Sequence, residues 1–310
     1  MKFDQETALT NILVGLLSTD PSSTPIKLAD KRTVIALTPN LTEKSRYQLV
    51  YRILRKLKGT TRPPEPKIKT SLYNVGSVNT EIVGIIADTH EPFCLPEYLP
   101  FCESTFKSHG VTRIIHIGDE VDNYYMSFHA KDPNYLDVVG ELENAKTNMK
   151  KWYEVFPNTD VMIGNHTALP FRQAANVGIP DWFLKPHSEA WQAPKGWKWH
   201  DSLVIDNVKY THGVGSSGQN GAMNRALRSR QSTVIGHLHA WAGVHYHASD
   251  NDLIFGMNVG WGADHQRYAF AYGKDYVNKP VVGCGVVKSG KEAIFVPMDL
   301  GSKYIYTNGR

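Results

Sequence analysis

Five apolar stretches of this chain end in residues able to bind metal ions. Ile114, Ile115 and Ile117 mark a buried strand; Gly118 lets the backbone turn sharply and Asp119 stands at the strand's end, followed by Glu120, Val121 and Asp122. Residues 81–87 run into Asp88-Thr89-His90, and 161–163 into Gly164-Asn165-His166. Residues 208–211 lead to His212, and 233–235 to Gly236-His237-Leu238-His239. Open α/β sheets place their chemistry outside the carboxyl ends of strands. Aspartate, asparagine and histidine offer oxygen and nitrogen donors without thiolate. That set suits a pair of divalent cations (Mn, Fe, Zn or Mg) and gives no reason to expect a closed structural zinc site.

In order and spacing these stretches (D-x-H at 88–90, G-D-x-x-D at 118–122, G-N-H at 164–166, His212, and G-H-x-H at 236–239) resemble the five-block pattern of the calcineurin-like metallophosphoesterases. The resemblance implies one metal held by Asp88, His90, Asp119 and His239, and a second held by Asp119, Asn165, His212 and His237. Asp119 would bridge the two, with Mn the first expectation. Two such cations, roughly 3.5–4 Å apart, bind phosphoryl oxygens, generate a hydroxide and stabilise both oxygens of an in-line displacement at phosphorus. The neutral amide of Asn165 leaves the metals electrophilic.

His166 is implied as the general acid that protonates the leaving oxygen. The family generally follows G-N-H with an acidic residue, which orients the imidazole and raises its pKa; Thr167 stands there instead. Either another carboxylate takes that role or His166 is a weaker acid. Asp122 is expected to hydrogen-bond a ligand histidine or the turn rather than a metal. His116, in mid-strand, reads as a satisfied core histidine. His245 and His247 share a strand face and read as facing solvent or substrate.

The elements that must position these residues follow from periodicity. Residues 5–18 carry Leu9, Ile12, Leu13, Leu16 and Leu17 at helical spacing. Residues 27–29 and 33–37 read as two short strands. Asn40 and Glu43 form a capping-box pattern before a helix with a stripe of Tyr47, Val50, Tyr51, Leu54 and Leu57, stopped by Gly59. The three prolines of 61–66 read as a linker. The reading is therefore a small basic N-terminal domain or arm, 1–70, and a metallophosphoesterase-like domain, 71–310. In the latter, strands are expected at 71–78, 81–87, 244–247, 253–259, 280–287 and 293–296 besides those above, with helices at 96–109 and 144–156. Alternating strands and helices predict a layered α/β fold. Two sheets packed face to face with flanking helices is also what the resemblance implies.

Accessory segments bear on the substrate. Lys44, Arg46, Arg52, Arg55, Lys56, Lys58, Arg62, Lys67 and Lys69 cluster against only Glu43 and Glu65. Such a cluster either tracks a phosphate backbone or is a solvated face at a helix C-terminus. Trp182, Trp191, Trp197 and Trp199, interleaved with Phe171, Arg172, Phe183, Lys185, Lys195 and Lys198, either stack unpaired bases or pack as hydrophobic mass. Arg225 and Arg228, three apart on a helix leading to the last block, are candidates for phosphate contact, as are Trp182 and Trp191 for substrate contact.

The net charge of +4 (34 Lys+Arg against 30 Asp+Glu) does not by itself argue for nucleic acid. Cys94, Cys102 and Cys284 have no metal spacing and read as reduced thiols. With no apolar leader and no membrane-length apolar run, a soluble, cytoplasmic protein is expected, in the host cytoplasm if it is viral. A Ser/Thr protein phosphatase is disfavoured: its second block continues with arginine after the final aspartate, where this chain has Asn123-Tyr124. A phosphodiesterase or nuclease on DNA or RNA is the leading expectation. A small-molecule phosphomonoesterase and a non-enzymatic, metal-stabilised nucleic-acid-binding module are the alternatives.

Overall fold

The computed structural model describes residues 3–19, 25–57, 81–128, 131, 137–267 and 277–301. The chain divides into two compact units, Met1–Ser71 and Leu72–Arg310.

The first unit contains α1 (Phe3–Thr19), α2 (Pro25–Ala29), α3 (Arg32–Leu37) and α4 (Glu43–Leu57). Leu9 and Leu13 of α1 are buried against Leu28, Ala29, Val34, Leu49, Val50, Ile53 and Leu54. Three readings are corrected here. The short strands expected at 27–29 and 33–37 are α2 and α3, because an apolar run of three to five residues carries too little periodicity to separate the two states. The α4 stripe is turned: Leu49, Val50, Ile53 and Leu54 are buried while Tyr47, Tyr51 and Leu57 are exposed. Its cap is Thr42, whose Oγ1 accepts from the Ser45 N–H at 3.3 Å, rather than Asn40. Arg46 donates to Thr38 Oγ1 and the Leu41 carbonyl, both at 3.0 Å, and so serves its own unit. Lys44 and Arg52 are exposed. The side chains of Arg55 and Lys56, the basic residues from Lys58 to Lys69, the stop at Gly59, the linker and the strand at 71–78 lie outside the described residues.

The second unit is two sheets with helices outside. The first sheet runs β11-β10-β1-β2-β3-β4, from β1 (Ile82–Ile86), β2 (Arg113–His116), β3 (Thr159–Met162), β4 (Trp197–His200), β10 (Gly283–Lys288) and β11 (Glu292–Pro297). The second runs β5-β6-β7-β9-β8, from β5 (Leu203–Ile205), β6 (Val208–Tyr210), β7 (Ser232–Ile235), β8 (Ala242–Ala248) and β9 (Leu253–Val259). The sheets meet face to face, close enough that a Cβ on Gly285 of β10 would lie 2.5 Å from the Met257 methyl of β9. Outside the first sheet, α5 (Tyr98–His109) sets Phe106 over Gly84 of β1; outside the second, α9 (Gly221–Ser229) lays the Met223 backbone on Gly256 of β9.

Parallel pairing is what collects the site. Ile86 of β1 registers with His116 of β2, and His116 with Val161 of β3, so the residues after each strand emerge along one edge. In the second sheet β6 and β7 are likewise parallel, Tyr210 against Val234. Gly110, with φ 67°, closes α5 as expected. The helix α6 (Val138–Val155) starts six residues before the expected 144, because Asp137 caps it by accepting from the Gly140 N–H at 2.9 Å. Strands β4 and β5 were not foreseen.

Candidate metal centre

Each of the five strand ends delivers its side chain to one buried region. Asp88 and His90 are fully buried, and Asp119 and His212 are each 1% exposed. Potential ligand atoms fall into three groups, each within 4.8 Å: Asp88, His90 and His239; Asp119, His212 and His237; and His90, Asp122 and His166. Asn165 joins the second group, its Oδ1 3.1 Å from His212 Nε2, which is itself 3.0 Å from Asp119 Oδ2. Asp88, His90 and His239 thus form one group, and Asp119, Asn165, His212 and His237 another. Asp119 groups with the second, and the His90 N–H reaches the Asp119 carbonyl at 2.9 Å.

Three glycines explain how so many polar groups fit. A Cβ on Gly164 would lie 2.0 Å from Asp119 Oδ1, one on Gly236 2.2 Å from Asp88 Oδ1, and one on Gly118 2.6 Å from His212 Nδ1. Each glycine of a motif clears a donor side chain of another. His90, Asp119 and His237 hold left-handed backbones, φ 48°, 49° and 66°. Non-glycine residues adopt that region rarely and at a cost, a pattern that concentrates at functional sites.

The donors fit divalent cations. Asp88 Oδ1 is buried with no hydrogen-bond partner among the described residues, while Oδ2 accepts from the His237 N–H at 2.9 Å and lies 3.0 Å from His239 Nε2. His90 is fixed through Nδ1 to Asp122 Oδ1 at 2.7 Å, and His212 through Nδ1 to the Ile117 carbonyl at 3.1 Å. Anchoring one ring nitrogen orients the other for metal binding. Burial works against a charged Asp119, but the His212 charge and hydrogen bond outweigh it and hold its pKa well below the usual range. His212 moves up to about 9, burial being overcome by Asp119 and Asp88; His237, mainly desolvated, falls to about 4.

His166 stands beside these groups. Its N–H donates to Asp119 Oδ1 at 2.7 Å, and its Nδ1 lies 2.7 Å from the Asp122 carbonyl and 3.3 Å from Asp122 Oδ1. Burial opposes its charged form, yet Asp122 and Asp119 together raise its pKa to about 10. Asp122 is thus the carboxylate that faces His166 where position 167 is a threonine. It also bonds His90, and these two imidazoles overcome its own burial to hold its pKa at about 2.

Thr167 has a different task. Its Oγ1 accepts from the Asp119 N–H at 3.1 Å and donates to Glu120 Oε2 at 2.6 Å. Glu120 is fully buried, takes a second bond from Trp199 Nε1 at 3.0 Å, and is pushed by burial up to about 7. Glu120 and Asn123, whose Nδ2 donates to the His166 carbonyl at 3.0 Å, were missed in the sequence. The available signal was a polar residue at one of the two unassigned places of the second block, Glu120, and another directly after it, Asn123. His116 is a satisfied core residue, 3.0 Å from Thr89 Oγ1, and His245 and His247 are exposed on β8.

Of the substrate-contact candidates, Trp182 is 76% exposed and stacked on Phe183. It lines a groove of about 800 Å³ with Phe171, His187, Lys198 and Trp199, whose lining also includes Asp181 and the residues flanking 164–167, Ile163 and Ala168. Trp191 is corrected: at 6% exposure it belongs to the main core, where its carbonyl accepts from the Tyr153 hydroxyl at 3.1 Å, just after α8 (His187–Ala190). Arg225 and Arg228 line a separate pocket.

No family model matches the sequence, and no curated protein matches it. Among solved structures, the chain is similar to Vacuolar Protein Sorting 29 from Cryptosporidium parvum (14% identity over 72% of this chain and 93% of that one, TM-score 0.37). It is similar to YfcE, a phosphoesterase from E. coli (14%, 71% and 100%, TM-score 0.35), and to Pseudomonas putida nuclease MPE (10%, 69% and 87%, TM-score 0.27). Among the described residues, no helix is long and apolar enough to cross a membrane.

Proposed function

We propose that this chain hydrolyses phosphoesters with two divalent metal ions, one held by Asp88, His90, Asp119 and His239 and the other by Asp119, Asn165, His212 and His237. The observation that carries the reading is the convergence of two O/N donor groups from five strand ends beside His166, whose Nδ1 faces the Asp122 carbonyl and carboxylate. When bound, the ions supply Lewis acidity toward phosphoryl oxygen and lower the pKa of water. Manganese is the first candidate, with iron, zinc and magnesium also suited to carboxylate, amide and imidazole donors. His166 keeps a proton for the leaving oxygen, Asp122 holds that imidazole in orientation, and Asp119 is fixed by the His166 and Thr167 N–H groups at 2.7 and 3.2 Å.

The substrate we propose is a nucleic-acid phosphodiester, DNA or RNA. Support comes from the aromatic groove lined by Ile163 and Ala168, which flank 164–167, and by Phe171, Trp182, Trp199 and Lys198, with Asp181 its one carboxylate among the described residues, since aromatic faces with nearby cations take unpaired bases. A protein phosphatase remains disfavoured: Asn123, at the place of the phosphate-gripping arginine, is committed to the His166 carbonyl. The test compares Mn²⁺-dependent turnover of a bis-aryl phosphodiester with that of the matching monoester, with Asp119→Ala as control. Diester preference lost in the variant supports the proposal. Monoester preference replaces the nuclease with a small-molecule phosphatase, and equal inactivity of both proteins favours a binding module.

A further inference from the structure

A pocket of about 430 Å³ opens between β6 and α9, under the turn that follows His212. Its cations are Lys209, Arg225 and Arg228, and its remaining polar groups include Thr211, Ser216 and Asn224. No carboxylate lines it. Lys209 and Thr211 alternate with the buried Tyr210 and His212, so the pocket lies on the opposite face of the sheet from the His212 imidazole. It shares no residue with either metal-ligand group.

The charges in this pocket are uncompensated. Among the described residues, the Lys209 and Arg228 side chains make no hydrogen bond or ion pair. Arg225 donates Nε to Ser216 Oγ at 2.6 Å and Nη2 to the Val214 carbonyl, which pins its guanidinium in place without neutralising it. Where a carboxylate is within reach on this side of the molecule, an arginine uses it: Arg230, at the end of α9, is paired with Asp252. Three like charges facing one cavity repel one another, and an anion among them removes that penalty. A fixed guanidinium, a second guanidinium, an ammonium and short hydroxyls match a tetrahedral oxyanion with several acceptor oxygens.

We propose that this pocket is an anion site for a phosphate group, separate from the candidate metal centre. The ligand chemistry is that of a phosphate, either free in solution or part of a polynucleotide backbone. The site does not depend on the hydrolytic reading.

The test is calorimetric titration of the full chain, with EDTA present so that the metal centre takes up no phosphate. The titrants are inorganic phosphate and, separately, a short single-stranded oligonucleotide. The proteins are wild type, Lys209→Gln/Arg228→Gln, whose changed side chains are partly or fully exposed, and Asp119→Asn. Expected are binding by wild type, affinity weakened at least about 10-fold in the double variant, and no change in Asp119→Asn. Saturation by phosphate alone identifies free phosphate as the source. Tighter oligonucleotide binding, with a salt dependence shallower by about 1.4 in the double variant, identifies backbone phosphate. No heat and no thermal stabilisation with either titrant at millimolar phosphate, or equal binding by the double variant, overturns the site. Loss of diesterase activity would leave it standing.

Discussion

His166 and Asp122 are joined twice: His166 Nδ1 lies 2.7 Å from the Asp122 carbonyl and 3.3 Å from its carboxylate Oδ1. The same carboxylate reaches His90 Nδ1 at 2.7 Å, so one aspartate orients both the proposed acid and a proposed metal ligand. Asp122→Asn keeps the shape and removes the charge. His166, raised to about 10 in the native protein, holds its proton below that value and loses it as pH rises through it. In the variant the imidazole pKa falls, and activity starts to decline at lower pH. We expect kcat toward an aryl phosphodiester to drop about 100-fold, with the alkaline limb displaced toward neutrality. A pH profile from 6 to 10 that matches wild type in shape would remove Asp122 from this role.

Gly164→Ala tests the clearance between motifs. The added methyl would meet Asp119 Oδ1 at 2.0 Å, and that carboxylate is buried and tied to two N–H groups, so it has nowhere to retreat. Manganese affinity should fall by about 10- to 100-fold, read by calorimetry. A control, Gly178→Ala, has no atom within 4 Å of the new methyl, though its φ of 75° adds strain. Equal metal affinity in both variants would show that Asp119 is not crowded as described.

The residues of the two donor groups could be picked out in the sequence because each sits at the end of an apolar run, all but His212 within a short motif. Their supports could not. Asp122 and His166 are 44 positions apart, and Thr167 and Glu120 are 47 apart; only the parallel register of β2 and β3 brings them together. Strand β4 hid in the tryptophan-rich segment, where Trp197 and Trp199 looked like an insertion rather than the alternation of an outer strand beside β3. In the first unit, Leu28 and Val34 sat in runs too short to carry a period. The α4 stripe failed differently, since 49, 50, 53 and 54 satisfy helical spacing as well as 47, 50, 51 and 54 do.

Thr167→Val should act through the fold. It strips Glu120 of a buried donor and leaves the Asp119 N–H without its acceptor. A buried polar group left unsatisfied costs about 1–3 kcal/mol. The urea midpoint of the chelated protein should fall accordingly. Thr167→Ser keeps the hydroxyl and should recover most of the loss. If valine is as stable as wild type while serine is not, methyl packing and not the hydroxyl bonds is what Thr167 contributes.

Glu141 gives a pH dependence that is separate from the metal ligands. It is 6% exposed, accepts from the Tyr124 N–H at 2.7 Å, and is raised to about 7, first by burial and then by the charge of Asp122. The ordinary value is 4.5. Below 4.5 the carboxyl is protonated in both the folded and unfolded chain; between 4.5 and about 7 only the folded chain keeps the proton. Stability from the neutral carboxyl is therefore complete below 4.5 and is lost as pH rises through about 7. Glu141→Gln retains an acceptor for Tyr124 and cannot ionise. Urea melts of the chelated proteins should show the variant gaining on wild type from pH 5 to pH 8. A constant difference across that range would mean that Glu141 is ionised throughout in the folded chain, and that its two backbone donors, the Tyr124 and Tyr125 N–H groups, outweigh its burial.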